Sequence, residues 1–261
     1  MTVSDAELVS AIESTLFLYP PIAGQFQDLG IPGIRGRLTK ISHPLTNLAG
    51  DARFSEREAD AMIRRVQDRY ASMAFGWVTG PSTRPVDLPD RLAAAGLARE
   101  ESLAGMALAD LGLAVTADPA VRVEEVSFRD ALAESDMMAR AYGLPLEVAR
   151  FFNEVLAASA AQIKARGYFG YRGSGGPVAW SFLVYLPDSP IVLLGGAATL
   201  PEHRGHGLYT ALVARRLADA RGDGRTAAVI QADRATSAPI CAKLGFRELC
   251  ALEVFVRQAT S

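Results

Sequence analysis

The chain has 261 residues, 49% of them hydrophobic and 21% charged, with a formal net charge of −2. That balance excludes wholesale disorder and gives no basic footprint for nucleic acid, so no nucleic-acid partner is expected. Cys241 and Cys250 are too few for a disulfide scaffold, the first residues lack a leader pattern, and no apolar run approaches the ~20 residues of a membrane span. The expectation is a cytoplasmic protein with no membrane contact, and the length suggests two domains.

Ser4 and Glu7 have the spacing of a capping box ahead of a helix that carries Leu8, Ile12 and Leu16 on one face. Tyr19-Pro20-Pro21 ends it. The stretch 24–47 is rich in Gly and Pro and holds a strand over 36–41. Ser55 and Glu58 repeat the capping-box spacing before a helix with Ala61, Met62, Val66 and Tyr70 on one side. A strand over 73–78 leads into a turn over 80–85. The segment 88–97, ending in Gly96-Leu97, resembles 238–246, ending in Gly245-Phe246. Each follows a strand and precedes a second apolar run, 102–109 and 249–256. We read this as an internal repeat, the first copy being a degenerate half of the same fold; the competing reading is chance similarity of two αβ units. Its helix starts at a side-chain cap instead of a glycine loop, as a helix start that binds no ligand would. The boundary is expected at Leu113–Pro119, giving a scaffold domain over 1–118 and a binding domain over 119–261.

In the second domain, 121–126 alternates like a strand. Helices are predicted over 129–142 and 146–160, broken at Gly143-Leu144-Pro145. A hairpin joins 168–172 to 178–186 across Gly173-Ser174-Gly175-Gly176. An apolar strand over 191–199, a helix over 210–220 and a strand over 226–232 follow. A short helix with Thr236-Ser237 as its cap and Pro239 in its first turn ends at Gly245, and a last strand contains Cys250. This order predicts a mixed α/β fold.

Between the strand over 191–199 and its helix stands Leu200-Pro201-Glu202-His203-Arg204-Gly205-His206-Gly207-Leu208-Tyr209. A glycine-interrupted strand-to-helix loop aims backbone N–H groups at one spot, where the helix dipole also favours an anion. Gly205 and Gly207 let the backbone approach a bulky group, and Arg204 is a cation suited to phosphate. The chemistry is pyrophosphate binding; the competing reading is a tight turn with two structural glycines. The Gly-Lys-Ser/Thr ending of a Walker loop is missing, and Asp223 sits in a turn, so the dinucleotide pattern fits poorly.

The loop resembles the coenzyme A loop of the GNAT acyltransferase superfamily, Arg/Gln-x-x-Gly-x-Gly/Ala, standing here as Arg204-Gly205-His206-Gly207-Leu208-Tyr209, with Pro201 also matching. Tyr209 departs from the usual Gly or Ala. Leu244-Gly245-Phe246 is similar to the ending of that superfamily's last main helix, and the resemblance runs from Val121 to Arg257. It implies a central mixed sheet flanked by helices, here as two such domains in tandem. It implies acetyl-CoA as co-substrate, with Ala197, Ala198 and Thr199 bonding the pantetheine arm, and Arg204, Gly205, His206, Gly207, Leu208 and Tyr209 at the pyrophosphate. Gly195-Gly196 would let the strand splay from its neighbour.

In that superfamily an amine attacks the thioester directly, and a tyrosine ahead of Leu-Gly-Phe often protonates the leaving thiolate. That position is Cys241 here, so Cys241 is a candidate acid or a small buried hydrophobe. Tyr209 is the other candidate acid, or a shield for the pyrophosphate. Glu202, Asp188 and Tyr185 are candidate bases. His203 and His206 lie three apart without an acidic cluster, so no metal is expected. The acceptor is expected to be a small-molecule or peptide amine, with Met137, Tyr142, Phe151 and Phe152 as candidate pocket walls, and a homodimer is compatible with the sequence. The alternatives are an acyl-CoA-binding pseudoenzyme or regulatory module, and the same fold with another acyl-CoA chemistry.

Overall fold

The structure is a computed structural model and describes residues 3–112 and 115–259. The first half comprises α1 (Asp5–Ser14), β1 (Gln27–Asp28), β2 (Arg35–Leu38), β3 (Leu48–Gly50), α2 (Ala59–Tyr70), β4 (Phe75–Thr79), α3 (Leu88–Ala94) and β5 (Ala98–Leu108). The second comprises β6 (Val121–Val126), α4 (Phe128–Ala133), α5 (Ser135–Tyr142), α6 (Leu146–Ser159), β7 (Ala165–Arg172), β8 (Ala179–Tyr185), β9 (Ile191–Thr199), α7 (Leu208–Gly222), β10 (Ala227–Asp233), α8 (Ser237–Lys243) and β11 (Arg247–Arg257).

The start of α1 is set locally. The Glu7 amide donates to Ser4 Oγ at 3.3 Å and the Ser4 amide donates to Glu7 Oε2 at 2.8 Å, which is the expected box. The second box does not form as expected. Ser55 does donate to Glu58 Oε2, but α2 starts only at Ala59 and has no side-chain cap, because 56–58 are spent in a turn. The strand expected over 36–41 ends at Leu38, since the Thr39 amide turns to Asn47 Oδ1 at 2.8 Å and leaves the ladder. The helix expected over 129–142 is two helices, α4 and α5, meeting at Glu134. Ser127 caps the first, and the Ser135 hydroxyl donates to the Leu132 carbonyl where the two meet.

The eleven strands of the described residues belong to one sheet, in the order β1-β2-β3-β4-β11-β5-β10-β9-β8-β7-β6. The β3/β4 and β9/β10 pairs are parallel and the rest antiparallel, so the sheet is mixed, as expected, and helices flank it. The halves interleave at its centre. β5, from the first half, lies between β10 and β11; β11, from the second, lies between β4 and β5. The two exchanged strands have 11 residues each, and every position of β11 is 149 residues beyond its counterpart in β5 (98 against 247, 108 against 257). Their register obeys that offset: Arg247 faces Ala107 as Val256 faces Ala98, and Cys250 faces Gly105 as Val254 faces Glu101. The two irregularities in the ladder are related in the same way.

Leu8 and Ile12 of α1, both fully buried, pack over this junction in a cluster with Ala107, Leu193, Val229 and Leu252, strands of both halves. Burying two such side chains contributes roughly 1.5–3 kcal/mol each. The boundary expected at Leu113–Pro119 lies in the connection from β5 to β6; residues 113 and 114 lie outside the described residues.

One prediction follows from the interleaving. Residues 119–261 expressed alone keep β10 and β11 but lose the strand that joins them. We expect that fragment to aggregate or to melt without a cooperative transition in circular dichroism, whereas the full chain melts as one unit. A stable, monomeric fragment would show that β5 is dispensable.

Candidate functional site

The site begins where two parallel strands part. β9 and β10 pair only at Ile191/Ala227, Val192/Ala228 and Leu193/Val229. Beyond these rungs β9 runs on to Thr199 bonded only to β8, and β10 runs on to Asp233 bonded only to β5. The strands therefore open into a V whose closed end is Leu193/Val229. The opening coincides with a bulge in β9, where Ser181 faces Ala197 but Phe182 faces Gly195. Both glycines are required by close approach. A Cβ on Gly195 would overlap the Phe182 ring, and one on Gly196 would come within 2.5 Å of Tyr142 Oη.

The loop after β9 lies at the mouth of the V. Pro201–His203 make one 3-10 turn, and Gly205 and Gly207 adopt φ +76° and +77°, left-handed values that favour glycine. Gly207 is the N-cap of α7 and supplies no side-chain cap. The first intrahelical bond runs from the Ala211 amide to the Gly207 carbonyl at 2.9 Å, so helix geometry leaves the amides of Leu208, Tyr209 and Thr210 without intrahelical acceptors.

The loop side chains take different places. The Arg204 guanidinium donates to the Thr199 carbonyl at 3.1 Å and the Ala141 carbonyl at 3.0 Å, tying the loop to β9 and to the end of α5. It remains exposed, as does His206, while His203 is half-buried. Leu208 is buried in the core. Asp118 lies against the loop, since a Cβ on Gly207 would meet its Cβ at 3.3 Å.

Deeper in, Leu208, Leu212, Arg216 and Ala220 follow one another at i+4 along the buried face of α7. Arg216 is fully buried, with 0% exposure. Its Nε donates to the Leu212 carbonyl at 3.1 Å, and Nη1 donates to the carbonyls of Phe182 at 3.1 Å and Gly195 at 3.0 Å. These bonds hold both sides of the bulge. Nη2 has no partner, and no carboxylate of the described residues makes a salt bridge with this side chain. Desolvating a cation costs several kcal/mol, against roughly 1.5–3 kcal/mol for each charge-assisted bond. Burial accordingly lowers the Arg216 pKa, opposed by the nearby Tyr209, Cys241 and Tyr142.

Those three groups come from three helices. Tyr209 Oη lies 3.3 Å from Cys241 Sγ, joining the first turn of α7 to α8. Cys241 is fully buried. Burial first, and then Cys241, pushes the Tyr209 hydroxyl well up from its ordinary value; burial raises the Cys241 thiol, with Tyr209 and Arg216 opposing. Tyr142, from the end of α5, has its hydroxyl pushed up by burial, with Arg216 opposing. Both sequence candidates for the acid thus meet in one hydrogen bond.

The candidate bases do not gather there. Glu202 is paired with Arg140 at 2.7 Å. Tyr185 faces Val192, beyond the closed end of the V, and its ring carries Lys164 at 4.2 Å and Arg225 at 5.4 Å. Asp188 is in the following turn with φ +50°. Phe151 lies with Phe26 and Val155 in a separate cluster that Phe152 borders, and Met137 is core; of the four expected pocket walls only Tyr142 reaches the bulge. A carboxyl pair that sequence reasoning missed ends the β10 arm of the V. The Glu101 carboxyl is raised by partial burial first and by Asp233 next, while the Thr236 hydroxyl, donating at 2.6 Å, helps lower Asp233. These two are 132 residues apart in sequence (101 and 233), so only the β5/β10 pairing brings them together.

Among the described residues no group of three or more His, Cys, Asp or Glu could hold a metal ion, and no helix is long and apolar enough to cross a membrane.

No protein-family profile matches the chain, and no curated protein matches it. Solved structures do. A GCN5-related N-acetyltransferase from Kribbella flavida has a TM-score of 0.68 at 17% identity, covering 100% of this chain and 97% of that one. A GCN5-related N-acetyltransferase from Sphaerobacter thermophilus has 0.63 at 11% identity, covering 98% and 94%. A tandem GNAT protein from the clavulanic acid biosynthesis pathway has 0.57 at 15%, covering 100% and 98%. The chain has the GNAT fold. At these identities the likeness concerns the fold over the whole chain. The GNAT fold nonetheless accounts for the element order that precedes and follows the loop.

Proposed function

We propose that this protein is an N-acyltransferase that moves the acyl group of acetyl-CoA, or of a related coenzyme A thioester, onto a primary amine of a small molecule or peptide in the cytoplasm. The observation that carries the reading is the continuity of the V: free helix amides at its mouth, an unpaired β9 edge along it, and a Tyr209–Cys241 hydrogen bond beside it. Gly196 and Gly207 sit where a Cβ would meet Tyr142 or Asp118, so glycine is what lets those side chains lie against β9 and the loop.

In this reading the amides of Leu208, Tyr209 and Thr210, with Gly205 and His206, hold the pyrophosphate. Arg204 orders the loop through its two carbonyl bonds and adds positive charge. Ala197, Ala198 and Thr199 offer the unpaired strand edge to the pantetheine amides. Coenzyme A supplies a thioester carbonyl as electrophile, and the residues around it align the amine and hold the protons. Tyr209 and Cys241, with raised proton affinities, retain their protons through neutral pH and above, so each is in donor form when a thiolate must leave. The first half serves as scaffold and is a degenerate copy of the second. Supporting this, β3 and β4 are parallel with α2 between them, as β9 and β10 are with α7, and the β5/β11 register is symmetric.

Release of free thiol from acetyl-CoA across a broad amine panel tests the activity. Silence with every amine, alongside tight binding, would leave a binding module in place of an enzyme. For the loop, Gly207→Val is expected to weaken coenzyme A binding about a hundredfold or more in calorimetry, through strain at φ +77° and the contact with Asp118. Asp118→Ala should act in the opposite direction, tightening binding about two- to fivefold by removing a like charge from the anion site. Unchanged affinity in the valine variant would reassign the glycines to the turn alone.

For the acid, both pKa values are raised, so the donor forms persist to higher pH than a free thiol, which titrates near ~8.5. No loss of kcat from donor deprotonation is therefore expected as pH rises through the range in which a free thiol titrates. Tyr209→Phe should lower kcat about tenfold to a hundredfold with little change in KM for the thioester. Wild-type kcat in that variant at every pH would remove Tyr209 from the chemistry.

A further inference from the structure

Arg216 is a buried cation for which the described residues supply no anion. Its side chain is fully buried, and three backbone carbonyls occupy Nε and Nη1. Nη2 is buried and without a partner. The ionisable groups that face it are Tyr209 from the start of α7, Cys241 from α8, Tyr142 from α5 and Tyr168 from β7. All four are neutral when protonated. The one carboxylate nearby in sequence, Asp219, is engaged by Arg215 at 2.9 Å and by the Tyr168 hydroxyl at 2.8 Å. With Nε and Nη1 occupied, Nη2 is the donor left over; a charge-assisted bond from it to a carboxylate is stronger than one to a neutral acceptor, and leaving buried N–H groups empty is costly.

The position of the group says which part of a ligand it would meet. Arg216 is eight residues into α7 from Leu208, so it lies about 12 Å along the axis from the helix start. Its bonds to Phe182 and Gly195 put it at the bulge, two residues from the last β9/β10 rung at Leu193. It is therefore remote from the anion site at the mouth and close to the closed end of the V. A ligand whose phosphates rest at the mouth extends its acyl end toward this point.

We propose that Arg216 is a specificity-determining residue that binds a carboxylate at the far end of the acyl group, making short dicarboxylic half-thioesters of coenzyme A the preferred donors. The proposal rests on the coenzyme A reading above. A neutral acetyl group leaves Nη2 empty; a malonyl- or succinyl-type group supplies the missing anion. Tyr142 Oη lies at the Gly196 side of the same bulge.

The test is calorimetric titration of the full-length protein at fixed ionic strength with free coenzyme A, acetyl-CoA, malonyl-CoA, succinyl-CoA and the carboxamide analogue of succinyl-CoA. The expected result is that a dicarboxylic thioester binds about tenfold or more tighter than acetyl-CoA, while the carboxamide analogue falls back to the acetyl value. The analogue tests the charge without altering the protein. Arg216→Met, its fold checked by a circular dichroism melt, should bring the dicarboxylic-to-acetyl ratio down to about one. Equal affinities for acetyl-CoA and both dicarboxylic thioesters, with all of them binding, would overturn the carboxylate assignment and leave the coenzyme A reading intact. An acid and its carboxamide binding alike would also overturn it. If neither free coenzyme A nor any thioester binds, the reading of the V fails, and this inference with it.

Discussion

Parallel strands β9 and β10 hold together for three rungs and then part, and the rest of the site depends on that parting. A fully zipped pair would bury its backbone donors and acceptors in the ladder and leave nothing to offer a ligand. The separation is imposed from both sides. Gly195 and Gly196 bulge β9 against β8, Phe182 and Tyr142 close in where side chains are missing, and the Arg216 guanidinium bonds carbonyls on both strands of the bulge. Each contact is modest alone. Together they hold a conformation that strand pairing by itself would oppose.

The V in turn needs a rigid frame on its β10 side, and the first half of the chain supplies it. β10 keeps only three rungs with β9, but it pairs with β5 along its length, from Ala228 to Asp233. Without β5 the β10 arm would be an unpaired edge, open to solvent and to other chains. The first half therefore does more than add bulk. Its last strand stands inside the sheet of the other half, and β11 returns the exchange. The same pairing gathers the Glu101–Asp233 carboxyls at the end of the β10 arm.

Much of this architecture was legible in the sequence because its signals are local. The loop glycines, the alternation of β6, the hairpin from β7 to β8 and the Gly245 turn each follow from a few neighbouring residues. Gly195-Gly196 was read as a place where the strand would splay, and it is one. Local signals failed where a side chain had two outlets. Ser55 and Glu58 have capping-box spacing, yet they close a turn ahead of α2. Thr39 could continue a strand, yet its amide is taken by Asn47. Arg216 carried a readable signal that went unused: it stands four residues after Leu212 on the apolar face of α7.

By itself the sequence determined the succession of elements and the glycine-interrupted strand-to-helix loop, since these depend on backbone preferences and spacing over a few residues. It also put Tyr209 and Cys241 forward as separate alternatives for one proton. Tertiary structure alone decided that the two hydroxyl and thiol groups share a hydrogen bond, that Tyr142 reaches the bulge, and that one of two adjacent arginines is sealed inside without an anion. It also decided that strands of the two halves interleave in one sheet and do not stand side by side. The reason is the range of the forces involved. Turn and cap preferences act between near neighbours in sequence, whereas burial, ladder register and the pairing of charges depend on which distant segments the collapsed chain brings into contact.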